Sequence, residues 1–319
     1  MLVENAYAKI NLFLHVTGRR ADGYHTLESV FAFVALNGPI PGDRLSLISQ
    51  ESQEPALESE GPFASSLQES LTAFPQHNLI LKAAALFSTH YREIGELPPG
   101  KFRLHLWKAL PIAAGIGGGS ADAAACLRLL NCYFGAPFSK PQLADMGLQL
   151  GADVPMCVYQ KPAWIGGIGE QWAPLPFSPQ GHIVLVNPGA PLLTKDIFAT
   201  YGDLQRNGQQ SFSKPEGSDS FIQSIGLQEK DFWKAVTARR NDLEVSAQLY
   251  CPLITSILAS LRTSAGCRLA RMSGSGPTCF GVFDTEAYAQ EACDHLKQRY
   301  PWVVSGRFLS APAHCAPGT

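Results

Sequence analysis

Between Pro111 and Ala125 the chain reads PIAAGIGGGSADAAA, with Gly115, Gly117, Gly118 and Gly119 standing ahead of Ser120 and an alanine-rich run. Glycines here permit positive φ and keep side chains out of the way, so successive N–H groups point into one concavity. The helix predicted by the alanines adds its unpaired amides and partial positive charge at the same place. A phosphate is the guest that suits such a cradle. Three familiar phosphate loops fail on the letters, however. No lysine follows the glycines as GxxxxGK[ST] requires, and Ser120 occupies the last glycine position of GxGxxG, the pattern shared by dinucleotide folds and protein kinases. A glycine turn before a helix also serves tight packing, so the loop alone leaves both readings open.

Two ionisable residues stand in apolar surroundings elsewhere. Lys9 belongs to AYAKINLFLHV, whose alternation puts Ala6, Ala8, Ile10, Leu12 and Leu14 on one face and Tyr7, Lys9, Asn11, Phe13 and His15 on the other. Such a lysine is either a cation facing a site or an edge residue snorkelling to water. Asp153 follows a glycine and directly precedes VPMCVY, read as a buried strand, where an unpaired carboxylate is costly. It serves chemistry or it caps a turn locally. Tyr24 and His25 come straight after an Asp22-Gly23 turn and offer one ring and one polar edge.

The elements that must position these residues are mixed in type. Alternation predicts strands at 27–36, 43–49 and 101–110, and a buried strand at 182–189. Helical periodicity covers 77–91 with Asn78 as a cap, then the run after the glycine loop to about Gly135, then 141–151. Residues 50–76 are polar and read as loop, and 202–220 as a mobile segment. Two helical stretches flank SGSGPTCFGVF at 273–283, a second glycine-rich turn entering a strand. Consecutive strands at the start, with helices mixed in later, predict an α+β protein of two domains.

Composition bounds the function. The 319 residues are 45% hydrophobic, enough for a large core, and only 16% charged with a formal net charge of -2. That balance gives no basic face for nucleic acid and no polybasic membrane anchor. The N-terminal segment lacks a positive start before an apolar core, so no secretory signal is expected, and no run is long enough to span a bilayer. Eight cysteines are scattered without a CxxC pair, which predicts free thiols in a reducing, cytoplasmic setting.

PIAAGIGGGSADAAA resembles the PxxxGLGSSSA loop of the GHMP small-molecule kinases (galactokinase, homoserine kinase, mevalonate kinase, phosphomevalonate kinase), and SGSGPTCFG at 273–281 is similar to their C-terminal glycine-rich motif. AYAKINLFLHVTGRRADGYH, LGADVPMCVY, NPGAPLLTKDIF and RNDLE are similar to the branch of that family whose acceptor carries a cytidine diphosphate group. The matching blocks run from about residue 6 to 283.

The resemblance implies a two-domain GHMP kinase fold. Residues 1–166 would form a ribosomal-S5-domain-2-like ATP- and substrate-binding domain, and 167–319 a ferredoxin-like domain completing the cleft. ATP would be the phosphoryl donor, accompanied by Mg2+, with Pro111, Ile112, Ala113, Ala114, Gly115, Ile116, Gly117, Gly118, Gly119, Ser120 and Ala121 forming its loop. Asp153 would be the general base and Lys9 its neighbouring cation, while Asn11 orients the acceptor hydroxyl. Tyr24 and Phe198 would stack on the cytosine, His25 would read its edge, and Thr194 would contact the diphosphate or nucleobase region. Ile116 replaces the commoner leucine, and Ala121 replaces a frequent second serine. Ser120 thus remains the one candidate metal ligand, and the metal site stays otherwise unassigned. The partner is a small molecule, with no nucleic acid, membrane or protein partner implied. Two alternatives stay open: a homoserine or mevalonate type of kinase, which needs no cytidine clamp, and a non-catalytic nucleotide sensor on the same fold.

Overall fold

A computed structural model describes residues 1–50, 56–73, 78–95, 101–225 and 228–310. Five strands open the chain: β1 (Leu2–Ala6), β2 (Ala8–Arg19), β3 (His25–Leu36), β4 (Asp43–Gln50) and β5 (Ala56–Glu60). Helices α1 (Ala64–Ala73) and α2 (Leu79–Arg92) lead to β6 (Lys101–Trp107), followed by α3 (Gly118–Tyr133), α4 (Lys140–Leu150) and α5 (Val154–Tyr159). Next come β7 (Ala163–Gly167), β8 (Gln171–Pro174) and β9 (His182–Asn187), then α6 (Thr194–Arg206), α7 (Ser218–Ile225) and α8 (Glu229–Thr237). The chain ends through α9 (Glu244–Tyr250), α10 (Leu253–Thr263), β10 (Cys267–Met272), β11 (Cys279–Phe283), α11 (Glu286–Lys297) and β12 (Trp302–Phe308).

The strands form two sheets. One has four strands in the order β1-β4-β6-β5; the other runs β10-β11-β9-β12-β3-β7-β8, with β2 paired to β3 as its eighth strand. The large sheet therefore draws on both halves of the sequence, since β3 carries β2 along its length and also pairs β12 and β7. Helix α3 is the centre of the N-terminal core. Its run from Ala121 to Leu127 is wholly buried, and the small alanines let α2, α4 and α5 approach it closely. Asn78 caps α2 as expected, its side chain accepting from the N–H groups of Ile80 and Leu81; His77 lies outside the described residues.

Four expectations are corrected. VPMCVY is not a strand but α5, a single buried helical piece. Five successive buried residues, Val154 to Val158, carry no period, and Pro155 in the first turn suits a helix start. The polar stretch 50–76 is not all loop. It supplies β5, a strand added parallel to β6 through backbone bonds that need no apolar signature, and α1; 51–55 and 74–76 lie outside the described residues. Residues 202–220 are helical at both ends, and the stretch between is tied down: Ser213 N–H donates to Val16 O, and Glu216 and Gly217 N–H donate to the Glu28 carboxylate. Finally, the alternation of β2 breaks between Asn11 and Leu14, where its register against β3 shifts. Ile10, Leu12 and Phe13 share one core, whereas Leu14 and Val16 join another. The cysteines among the described residues are free, as their scattered spacing predicts.

Candidate active site

The glycine loop, β2 and the second glycine-rich turn are knotted together. Lys9 N–H on β2 donates to Ile116 O at 2.9 Å. Ser273 Oγ donates to Gly115 O at 2.8 Å and accepts from Asn11 N–H at 3.1 Å, and Thr278 N–H donates to Ala114 O. Asn241, in RNDLE, clamps the turn from behind by donating through Nδ2 to Met272 O and Gly274 O, both at 2.8 Å. Two glycines are required by this packing. A Cβ on Gly115 (φ +73) would lie 2.5 Å from Ser273 O, and one on Gly117 (φ +64) only 2.9 Å from Lys9 Cε. Gly117 is also the N-cap of α3, so the open amides of that helix start at the end of the loop.

Lys9 is nearly buried. Its ammonium sits 3.2 Å from Asp153 Oδ2, donates to Asn11 Oδ1 at 3.1 Å and rests 4.2 Å above the Phe31 ring. Asn11 is fixed in turn, since its Nδ2 donates to Ser29 Oγ, which donates to Phe13 O. Asp153 stands at the N-cap of α5 with its side chain 34% exposed, so one face of the carboxylate remains open. Arg128 of α3 holds α5 and β1 in place through Cys157 O, Asn5 O and the Glu4 carboxylate.

These groups surround a cavity of about 450 Å³. Its walls include Lys9, Asn11, Asp153, Thr194, Phe198, and the loop residues Pro111 to Gly115 and Gly117 to Ser120. Ile116 and Ala121 turn inward to the core instead. Thr194, the first residue of α6, pairs its hydroxyl with that of Ser275 at 2.9 Å, which joins α6 to the second glycine turn. Tyr24 and His25 are not cavity walls. The His25 ring stacks on Phe198 at 5.3 Å and meets Tyr201 edge-on, while Tyr24 is 64% exposed. Burial, helped by Arg19, lowers the His25 pKa below its ordinary value, and its Nε2 is buried with no hydrogen-bond partner among the described residues. That orphan atom is suited to a polar edge brought by a ligand.

Ser29, Phe31, Lys108 and Asp122 carry no signal of their own in the sequence, whereas Ser273 belongs to the glycine-rich turn at 273–283, which the sequence reading sets behind the phosphate loop and which reaches Gly115 O. Ser29 and Phe31 act on residues far away along the chain, and only the strand alternation of ESVF places them on one face. Among the described residues no cluster of three or more His, Cys, Asp or Glu side chains could hold a metal ion. The oxygen-bearing side chains lining the cavity include Ser120, Asp122, Asp153, Thr194 and Ser275; Thr194 and Ser275 are paired with each other, and Asp153 keeps an open side. Without a carboxylate cluster among the described residues, this set fits Mg2+ carried in by phosphates, because that ion keeps several waters and takes one or two protein ligands. No helix among the described residues is long and apolar enough to cross a membrane.

Comparison with known proteins agrees with this architecture. The family model for the N-terminal domain of GHMP kinases matches residues 78–161, and that for the GHMP kinase C-terminal region matches 230–301. The chain is 39% identical over 316 residues to the 4-diphosphocytidyl-2-C-methyl-D-erythritol kinase of Gluconacetobacter diazotrophicus, covering 98% of this chain and 96% of that protein. It is 41% identical to the protein of the same name from Bradyrhizobium diazoefficiens, covering 96% and 97%. A crystal structure of 4-(cytidine 5'-diphospho)-2C-methyl-D-erythritol kinase superposes with a TM-score of 0.73 at 28% identity, over 96% of this chain and 99% of that one. The L. major mevalonate kinase shares the fold alone, at 15% identity and a TM-score of 0.66 over 98% and 97% of the two chains.

Proposed function

This chain belongs to the GHMP kinases and, within them, to the 4-diphosphocytidyl-2-C-methyl-D-erythritol kinases; on that premise we propose that it phosphorylates the 2-hydroxyl of 4-diphosphocytidyl-2-C-methyl-D-erythritol with ATP. The observation that carries the reading is the Lys9–Asp153 ion pair, 3.2 Å long, in the same cavity as the glycine loop and the N-terminus of α3. Transfer to an alcohol needs anchored phosphates, a counter-charge and a group to take the hydroxyl proton. The loop amides from Gly117 to Ser120 hold the polyphosphate. Asp153 accepts the proton of the 2-hydroxyl as that oxygen bonds to the γ-phosphorus and the bond to the bridging oxygen of ADP breaks. The Lys9 ammonium offsets the charge developing on the transferred group, and Asn11 orients the hydroxyl. The products are the 2-phosphate and ADP, and the proton on Asp153 passes to water.

Ser120 is the hydroxyl that would hold Mg2+ brought in with ATP, and the ion would supply positive charge to the polyphosphate during transfer. The cytosine is taken at the His25–Phe198 pair, where the unpartnered Nε2 of His25 reads the ring edge and Tyr24 folds over from the rim. Thr194, tied to Ser275, faces the diphosphate or the nucleobase region. In this reading residues 1–166 supply the loop, Lys9 and Asp153, residues 167–319 complete the cleft, and the enzyme works in the cytoplasm.

ADP release with Mg-ATP and one acceptor at a time tests the assignment. Turnover with the cytidylyl acceptor, and none above a water blank with mevalonate or homoserine, is the expected result. Turnover with another acceptor would overturn the substrate, and ATP binding without any turnover would make the protein a sensor.

A further inference from the structure

Beneath the glycine loop lies a buried charge cluster that the reaction above does not use. Asp43, the first residue of β4, is fully buried. Its Oδ1 accepts from the N–H groups of Ala109 (2.6 Å) and Leu110 (2.8 Å), the residues leading into the loop. Its Oδ2 accepts from Lys108 Nζ at 2.5 Å, and the same ammonium donates to Asp122 Oδ2 at 2.6 Å. Asp122 is in the first turns of α3 and is 3% exposed; its Oδ1 is buried without a hydrogen-bond partner among the described residues. Lys108 and Asp122 line the cavity, whereas Asp43 does not. The cluster touches the loop directly, because a Cβ on Gly118, the first residue of α3, would lie 3.2 Å from Lys108 Nζ.

A buried ion pair is seldom the most stabilising way to fill a core, since apolar residues of equal volume do as well. Here two carboxyl groups converge on one ammonium, and three segments of the chain meet at the point where the phosphate-binding amides begin. We infer that Asp43, Lys108 and Asp122 form a positioning unit for the ATP phosphates, in which Asp43 acts from outside the cavity through Lys108 and the 109–110 backbone. The inference rests on the reading of the loop as the ATP site. Asp43 sets where the chain enters the loop, Lys108 sets the height of Gly118, and Asp122 ties both to α3.

Asp43→Asn leaves the shape and removes one acceptor oxygen, so either Lys108 or the 109–110 amides lose their partner. The test is Mg-ATP affinity by calorimetry, which needs no turnover, beside the melting temperature and the KM of the cytidylyl acceptor. Asp43→Asn is expected to weaken ATP by about tenfold or more, with the acceptor KM unmoved. A purely structural cluster would lower the melting temperature and leave ATP affinity in the folded variant within about threefold of wild type, which overturns the inference. ATP affinity and acceptor KM worsening together also overturns it. Should Asp43→Asn not fold, Asp122→Asn, which keeps an acceptor for Lys108, decides by the same criterion. Normal ATP affinity in a variant whose parent turns over the cytidylyl acceptor removes this unit and leaves the proposed function standing.

Discussion

Gly117→Ala tests the packing of the loop on Lys9. Two costs arise. The residue sits at φ +64, and placing a non-glycine residue in that region costs about 1–2 kcal/mol. The new Cβ would also lie 2.9 Å from Cε and 3.1 Å from Cβ of Lys9, where carbon atoms prefer about 3.5–4.0 Å. Lys9 has little room to retreat. Its backbone is bonded to Ile116 O, and its ammonium is held by Asn11 and Asp153. Relief therefore requires the loop and the catalytic cation to separate by roughly 0.6–1 Å. Misplacement on that scale costs about a hundredfold in rate, so kcat is expected to fall about 100-fold, read by coupled ADP release. Gly208→Ala is the control. It has φ +72 but nothing within 4 Å of its added Cβ, so it carries the backbone cost without the clash and should keep normal kcat. A Gly117→Ala enzyme within about threefold of wild-type kcat would refute the argument that this contact positions Lys9.

Lys9→Met keeps the stem against Gly117 and deletes the charge; kcat should drop by about two to three decades in the same assay, as for loss of one preorganised counter-charge. Phe198→Ala removes a stacking face, and the acceptor KM should rise by about 5- to 150-fold with the ATP KM unchanged, the range for loss of roughly 1–3 kcal/mol of base stacking. Asp122→Asn addresses pH. Burial, reinforced by the neighbouring Asp43 carboxylate, raises the Asp122 pKa from its ordinary 3.8 to about 8. The folded chain thus holds a proton that the unfolded chain has released, so this group makes stability fall as pH rises between those values. Melting temperatures taken from pH 5 to 8.5 should show wild type losing ground to Asp122→Asn as pH rises; a constant difference would contradict the assignment.

Much of the site is legible in the residues themselves because its signals are local. Four glycines ahead of an alanine run, a lysine inside an apolar strand and an aspartate between a glycine and an apolar block each depart from the composition around them. Their supports are not local. Ser273 reaches Asn11 across 262 positions and Asp43 reaches Lys108 across 65, and nothing in a short window announces either partner. Local periodicity also fails where a segment is buried on nearly all sides, as in α5, or where a short edge strand is mostly polar and pairs through its backbone and ion pairs, as β5 does with β6. The bulge after Asn11 reassigns Leu14 for a related reason: alternation assumes an unbroken pleat, and the sequence carries no glycine or proline there to mark the break.

The most direct measurement is steady-state turnover of Asp153→Asn with Mg-ATP and the cytidylyl acceptor, run beside ATP binding. A carboxylate that takes the hydroxyl proton is worth about two to four decades in kcat, and its isosteric amide should bind ATP as wild type does. That pattern is predicted here. A kcat within about tenfold of wild type would remove Asp153 from proton transfer, leaving Lys9 and the loop to act by charge and position alone.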